Sequence, residues 1–263
     1  MTIPADLEAN TFGISLGKII GEKGNLTVSS IEDIRAKFGI PGRSKVILIG
    51  TGQDRPLENL WKIHRTHQIF ERLAQIRFDC VTSLTFSVWN TEFPRPDQLR
   101  NYHRNLWTYD RFVSLGVPCI PFFFPVDEGD FAYLKIWLSQ RPEVNTVAVY
   151  ARFFHREEAF SSYINYLVKI QECAGRKLRF LVCGIGKPEN IERLGRKFNC
   201  LFENSSMYAK SIHGLVCDSQ LKYGHSPFAL DDVFRINLQR NLSFCESVNK
   251  PIVYLKRRYV QMM

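Results

Sequence analysis

The chain has 263 residues, 45% of them hydrophobic, 23% charged and 13% aromatic. That balance excludes wholesale disorder, and with 20 Phe it supplies material for one large core. The formal charge of +9 favours polyanionic partners such as DNA, RNA or an acidic membrane surface, although a solubility charge has the same sign.

No run approaches the ~18 consecutive apolar residues of a membrane span. The longest candidate, Val117 to Val126, is broken by prolines. The N-terminus lacks the basic and apolar regions of a signal peptide, so a cytoplasmic location without membrane contact is expected. The seven cysteines are Cys80, Cys119, Cys173, Cys183, Cys200, Cys217 and Cys245. They are scattered, with no CxxC or zinc-type spacing, and read as buried reduced thiols. Neither a metal nor a cofactor is expected.

Along the chain, the stretch to about Asn25 has little pattern, and its Gly-rich segment Leu16 to Gly24 reads as an arm or short hairpin. A helix is predicted over Val28–Phe38, capped by Ser29 or Ser30 and stopped by Gly39 and Pro41-Gly42. From Lys45 the pattern alternates. Val46 to Thr51 is an apolar strand, and Pro56 to Arg77 an amphipathic helix with Leu57, Leu60, Trp61, Ile69, Leu73 and Ile76 inward. Cys80–Phe86 is the second strand and Asp97–Leu115 the second helix. Val117–Phe124 is the third strand, followed by a short helix over Phe131–Leu138. Thr146–Arg152, Leu178–Cys183 and Cys200–Phe202 are further strands, with helices over Glu157–Ala174 and Pro188–Lys197. Ser206 to Ile212 looks helical, Gly214 to Asp218 is a possible strand, and Asp231–Val248 is the last helix, before the basic Lys256-Arg-Arg258.

Apolar strands alternating with amphipathic helices call for parallel pairing through right-handed crossovers. Polar residues cluster just after the strands, which favours a TIM-like (β/α) barrel over a doubly wound open sheet. Residues 1–44 then form an N-terminal arm and short helix packing on a barrel domain of residues 45–263, which includes the C-terminal helix and basic tail.

Several segments carry candidate chemistry. Gly50-Thr-Gly-Gln-Asp54 follows a strand but is neither a dinucleotide fingerprint nor a Walker loop. Asp54 is either an acidic residue steadying a helix start or a strand-end carboxylate facing a barrel mouth. The loop from Thr85 to Pro96 gathers Trp89, Asn90, Glu92 and Arg95, types suited to base stacking and phosphate contact, unless the loop simply covers the core. Arg152 opens a polar cluster ending at Arg156. His155 within it reads as structural. Arg100, Asn101, His103, Arg104 and Asn105 read mostly as helix surface. Gly184-Ile-Gly-Lys-Pro-Glu189 is the most specific segment: glycines after a strand let backbone approach a ligand, and Pro188 opens a helix. A short strand beyond it delivers Glu203, followed by Asn204 and Ser205.

This last pair of segments resembles the tRNA-guanine transglycosylase superfamily, including its relatives that insert deazaguanine bases into DNA. Leu181-Val-Cys-Gly-Ile-Gly-Lys-Pro-Glu-Asn190 is similar to the family's Gly-Val-Gly-x-Pro-Glu-Asp-like strand end. Leu201-Phe-Glu-Asn-Ser-Ser-Met-Tyr-Ala-Lys210 is similar to its Phe-Asp-containing strand end. The resemblance implies a divergent member without the family's zinc cluster or its Asp-Ser-Gly-Gly-Phe motif. It puts Glu203 where the family has its nucleophilic Asp, with Gly184 and Gly186 beside the bound base, Lys187 among the substrate-binding residues and Asp54 as a base-binding acid. The implied function is glycosyl transfer at C1′ of a nucleotide in DNA or RNA, with Asp54 or Glu92 as second carboxylate and Asn204, Ser205, Trp89, Asn90, Arg95 and Arg152 contacting substrate. The alternative is a barrel that binds DNA or RNA without catalysis. An oligomer or partner protein is compatible with either.

Overall fold

The computed structural model describes residues 11–87, 94–152, 154, 156–203, 210–211, 213–226, 228–248 and 261–262. Its architecture is α/β. Strand β1 (Thr11–Ser15) is followed by a 3-10 turn, helix α1 (Ile31–Phe38) and strand β2 (Lys45–Ile49). Helices α2 (Asp54–Ile63) and α3 (Ile69–Gln75) lead to β3 (Cys80–Thr82). Then come α4 (Arg95–Ser114), β4 (Cys119–Ile120), α5 (Glu128–Ser139), β5 (Thr146–Tyr150), α6 (Glu157–Ala174) and β6 (Arg179–Cys183). The remaining elements are α7 (Pro188–Lys197), β7 (Asn199–Glu203), β8 (Leu215–Cys217), β9 (Tyr223–His225), α8 (Leu230–Val248) and β10 (Gln261–Met262).

Two parallel sheets, ordered β10-β1-β2-β3-β4 and β5-β6-β7, meet at a parallel bridge between Phe122 and Ala148. There Ala148 N donates to Pro121 O at 2.8 Å and Phe123 N to Ala148 O at 3.2 Å. From β1 to β7 each strand therefore neighbours the next in sequence, with no reversal of order. Among the described residues no pairing joins β7 to β10, so hydrogen bonds do not close the sheet there. Strands β8 and β9 form a separate antiparallel pair, so the Gly214–Asp218 stretch adds nothing to the parallel sheet.

Local chemistry explains the boundaries. Ser30 Oγ accepts from Asp33 N at 3.0 Å while Asp33 Oδ2 accepts from Ser30 N at 3.0 Å, a reciprocal cap for α1. Pro188 opens α7 with a ring already set for a first helical turn. The single helix predicted over Pro56–Arg77 is instead α2 and α3. The ladder loses its regular spacing after His67 N donates to Ile63 O at 2.9 Å: Gln68 N reaches back only to Arg65 O at 3.3 Å and Ile69 N to His64 O at 3.0 Å, while Thr66 Oγ1 adds a bond to Ile63 O at 3.1 Å. Gln68 then turns the chain in the left-handed region, at φ 48°.

Residues 11–15, inside the patternless N-terminal stretch, form a strand almost wholly buried and paired to β2 from Thr11↔Lys45 to Ser15↔Ile49. Two apolar cores back the sheet. One packs Phe12, Ile14, Val46 and Leu48 against Leu57, Leu60 and Leu73. The other packs Val147, Val149, Phe180 and Val182 against Tyr109, Trp137, Phe160 and Leu194. Helix α8 enters both: Phe234 and Leu238 lie in the first core, while Cys245 lies in the second with Phe244 packed against it. It also packs on α7. No helix of the described residues is long and apolar enough to cross a membrane.

Gly50 marks the tightest crossing of backbones at the strand ends. A Cβ there would lie 2.2 Å from the Ser83 carbonyl oxygen, and its own N–H donates to Thr82 Oγ1 at 2.7 Å. Gly42 has nothing within 4 Å of the same position. Gly50→Ala is therefore expected to destabilise the fold by about 2–3 kcal/mol, because backbone must move. Gly42→Ala is expected to stay within about 0.5 kcal/mol of the parent in the same urea titration.

Candidate functional site

Parallel pairing puts the C-terminal ends of the strands along one edge. At β5, β6 and β7 that edge is well defined. The register places Glu203, the last residue of β7, opposite Cys183, the last of β6. Glu203 Oε2 accepts a hydrogen bond from Gly184 N at 2.8 Å, and the residue is 0% exposed. Burial pushes the Cys183 thiol well above its usual range, and the neighbouring Glu203 charge pushes the same way. Gly184 has φ +76°, a conformation glycine adopts without strain. A Cβ on it would stand 3.1 Å from Arg152 Cβ and 3.4 Å from Tyr150 Cε2. Ala151 N donates to Cys183 O at 2.8 Å, tying the end of β5 to that of β6. Three adjacent strand ends thus deliver Arg152, Gly184 and Glu203 to one place.

Exposed charges of both signs stand beyond these strand ends, Glu157, Glu158 and Glu189 among them. Arg152 is exposed, Arg156 at the start of α6 is exposed, and Lys187 at the start of α7 is exposed. Gly186 is half-buried between them. Asn204 and Ser205 lie outside the described residues, as do Trp89, Asn90, Glu92 and His155. The predicted helix over Ser206–Ile212 falls mostly outside them too.

Asp54 belongs to a second cluster. It is exposed at the start of α2, and its Oδ1 accepts from Ser87 Oγ at 2.7 Å. Ser87 O accepts from Asn101 Nδ2 at 2.7 Å, and Asn101 Oδ1 accepts from Arg104 Nη1 at 2.9 Å. Arg104 completes the chain with a fork onto Glu58, at 2.7 and 3.1 Å. The contacts of Asp54 thus lie at the ends of β2 and β3, and those of Glu203 at the end of β6. Asp54 follows β2 and Glu203 ends β7, strands that are not neighbours in the sheet order.

The expectation that Arg104 and Asn105 lie on the helix surface is corrected. They are 6% and 0% exposed, and Thr108 is 0% exposed. The reason is backbone satisfaction. Residues 84–87 run on beyond β3 without strand partners for every amide, and α4 supplies them: Phe86 N donates to Asn105 Oδ1 at 2.7 Å and Leu84 N to Thr108 Oγ1 at 2.9 Å. Arg104 also lies over the Phe86 ring at 3.5 Å and the Trp61 ring at 4.6 Å. The i, i+4, i+7 spacing of Asn101, Asn105 and Thr108 was the available signal. It marks one polar helix face, and that face is turned inward.

Arg95 is likewise engaged. Its Nη2 lies 2.8 Å from Asp127 and 2.7 Å from Asp130, and its Nη1 3.0 Å from Asp130. This fork braces the start of α4 against the start of α5. Among the described residues no group of three His, Cys, Asp or Glu could hold a metal ion. No protein-family model and no curated protein sequence matches the chain.

The Arg95 fork has an acid signature. Burial pushes the Asp130 carboxyl up, but the Arg95 guanidinium and the Val126 amide outweigh it and hold the group below its ordinary 3.8. A depressed folded-state value stabilises the fold above the ordinary range, and that contribution is lost as pH falls through the folded-state value. Asp130→Asn is therefore expected to flatten the fall in melting temperature between pH 5 and pH 2. An acid slope identical to the parent's would rule the pair out as a source of acid lability.

Proposed function

We propose that the chain is a nucleic-acid-directed glycosyl-transfer enzyme on a TIM-like barrel, exchanging or removing a base at C1′ of DNA or RNA with Glu203 as nucleophile. The observation that carries the reading is the Gly184 N to Glu203 Oε2 hydrogen bond. It joins the two segments that resemble the transglycosylase superfamily at adjacent ends of parallel strands, where barrel enzymes build their sites.

Barrel closure is supported by strand order and by α8. In a flat sheet, β1 and β7 would stand at opposite ends, several strands apart. One helix that packs Phe234 and Leu238 into the core around β1 and β2 while packing on α7 brings those ends together. The strand order without reversal is also that of a barrel, not of a doubly wound sheet.

In this mechanism a Glu203 carboxylate oxygen forms a bond to C1′ as the glycosidic C–N bond breaks. The departing base takes the bonding pair and a proton supplied by Asp54 or Glu92. The glycosyl ester so formed is then opened by an incoming base, whose nitrogen gives up its proton, or by water. Exclusion of water strengthens the carboxylate as a nucleophile. Arg152 and Lys187 hold the flanking phosphates, Gly186 leaves room for the base, and Trp89 stacks on the base turned out of its strand. A cytoplasmic location goes with such a substrate.

The full burial of Glu203 favours a second reading, in which this carboxylate braces β6 to β7 and the barrel binds DNA or RNA without chemistry. One experiment separates them. Glu203→Gln keeps an acceptor for the Gly184 amide, so it is expected to fold and to bind with the same salt dependence. Its base release or exchange, read by mass spectrometry of digested nucleosides, is expected to fall on the order of 10³-fold or more. Undiminished turnover would remove Glu203 from the mechanism. Salt-sensitive binding with no product from the parent would establish the binding module. Failure to bind either polymer would defeat both readings.

A further inference from the structure

The register sets Glu203 in a row with two other side chains. Tyr150 pairs with Cys183, and Cys183 pairs with Glu203, so the three residues end β5, β6 and β7 side by side. Partners in adjacent strands point to the same face of a sheet. The row is uneven. Cys183 and Glu203 are 0% exposed, whereas Tyr150 is half-buried. Tyr150 packs against the apolar core that backs these strands, which supports its ring from one side.

Gly184 ties the row together. The Tyr150 ring edge, at Cε2, stands 3.4 Å from where a Cβ on Gly184 would lie, and Arg152 Cβ stands 3.1 Å from the same point. The Gly184 amide donates to Glu203 Oε2 at 2.8 Å. A side chain at position 184 would crowd both the ring and the stem of Arg152. Glycine leaves them clear beside the carboxylate. Arg152 itself is exposed.

A supported ring offers a flat apolar surface to a heterocyclic base, and a guanidinium offers paired donors to a phosphate. Either group alone would suit many ligands. Set against one glycine, next to a buried carboxylate, the two together suit a nucleotide. We propose that Tyr150 is a stacking platform for the base of a nucleotide whose phosphate Arg152 holds. This rests on the nucleic-acid reading of the site and adds to it a binding residue on β5.

The test compares two single strands of equal length, one with its bases and one in which hydrogen replaces every base. Binding of the full chain is read by fluorescence anisotropy at two salt concentrations. Tyr150→Leu keeps an apolar side chain on the core. It is expected to weaken binding of the base-bearing strand about tenfold and to leave the abasic strand unchanged. Tyr150→Phe is expected to bind both strands like the parent. Arg152→Ala is expected to weaken both alike and to lower the salt slope by about one. Equal loss on both strands, or no loss, in Tyr150→Leu overturns the platform while leaving the nucleic-acid reading in place. A parent that binds neither strand removes that reading and the platform with it. If Tyr150→Leu fails to fold, the parent alone carries the test: ultraviolet crosslinking to an iodouracil-bearing strand is expected to mark Tyr150. Crosslinks that fall only elsewhere overturn the proposal.

Discussion

Parallel pairing of sequential strands is the constraint from which the rest of this molecule follows. Each strand from β1 to β7 neighbours the next in the chain, so each connection must travel the full length of the sheet before re-entering it. Helices fill those returns and bury their apolar faces on the sheet. The same rule gathers every strand's C-terminal end on one edge. Residues far apart in sequence, such as Arg152 and Glu203, become neighbours there without any loop reaching for the other.

That edge is expensive to build because it is polar and partly enclosed. A carboxylate at 0% exposure is unfavourable unless donors meet it, and the Gly184 amide is one. At the other cluster the same problem has a different solution. In the extended residues 84–87, Thr85 N finds Gly50 O, but the Leu84 and Phe86 amides have no strand partner and α4 turns polar side chains inward to meet them. Asn105 and Thr108, both 0% exposed, therefore serve the backbone of another element. A helix that does this gives up apolar burial on that side. Its opposite side carries the exposed Trp107, so α4 is unusual on both faces.

Much of the fold was legible in the amino acids because burial on both sides of a strand leaves an apolar run. Helices α6 and α7 appear at the expected bounds, Glu157–Ala174 and Pro188–Lys197, since polar starts and a following glycine or aromatic strand frame them. β1 was illegible because five residues with a central glycine give no period to count. The break at Gln68 was illegible because the left-handed turn there falls inside a run whose apolar spacing continues from α2 into α3. In the site, the neighbourhood of Gly184 and Glu203 could be foreseen from short motifs at strand ends. The inward turn of Arg104 could not, because hydrophobicity patterns assign polar helix faces to water.

Helix α8 has a bearing on how the molecule comes into being. Its Phe234 and Leu238 complete a core begun by Phe12 and Ile14, more than two hundred positions earlier. During synthesis that first core waits, incompletely covered, while all the intervening strands emerge. Contacts of such long sequence separation slow folding and leave apolar surface open to wrong partners in the meantime. A chain built this way closes its first core only once its last helix has emerged.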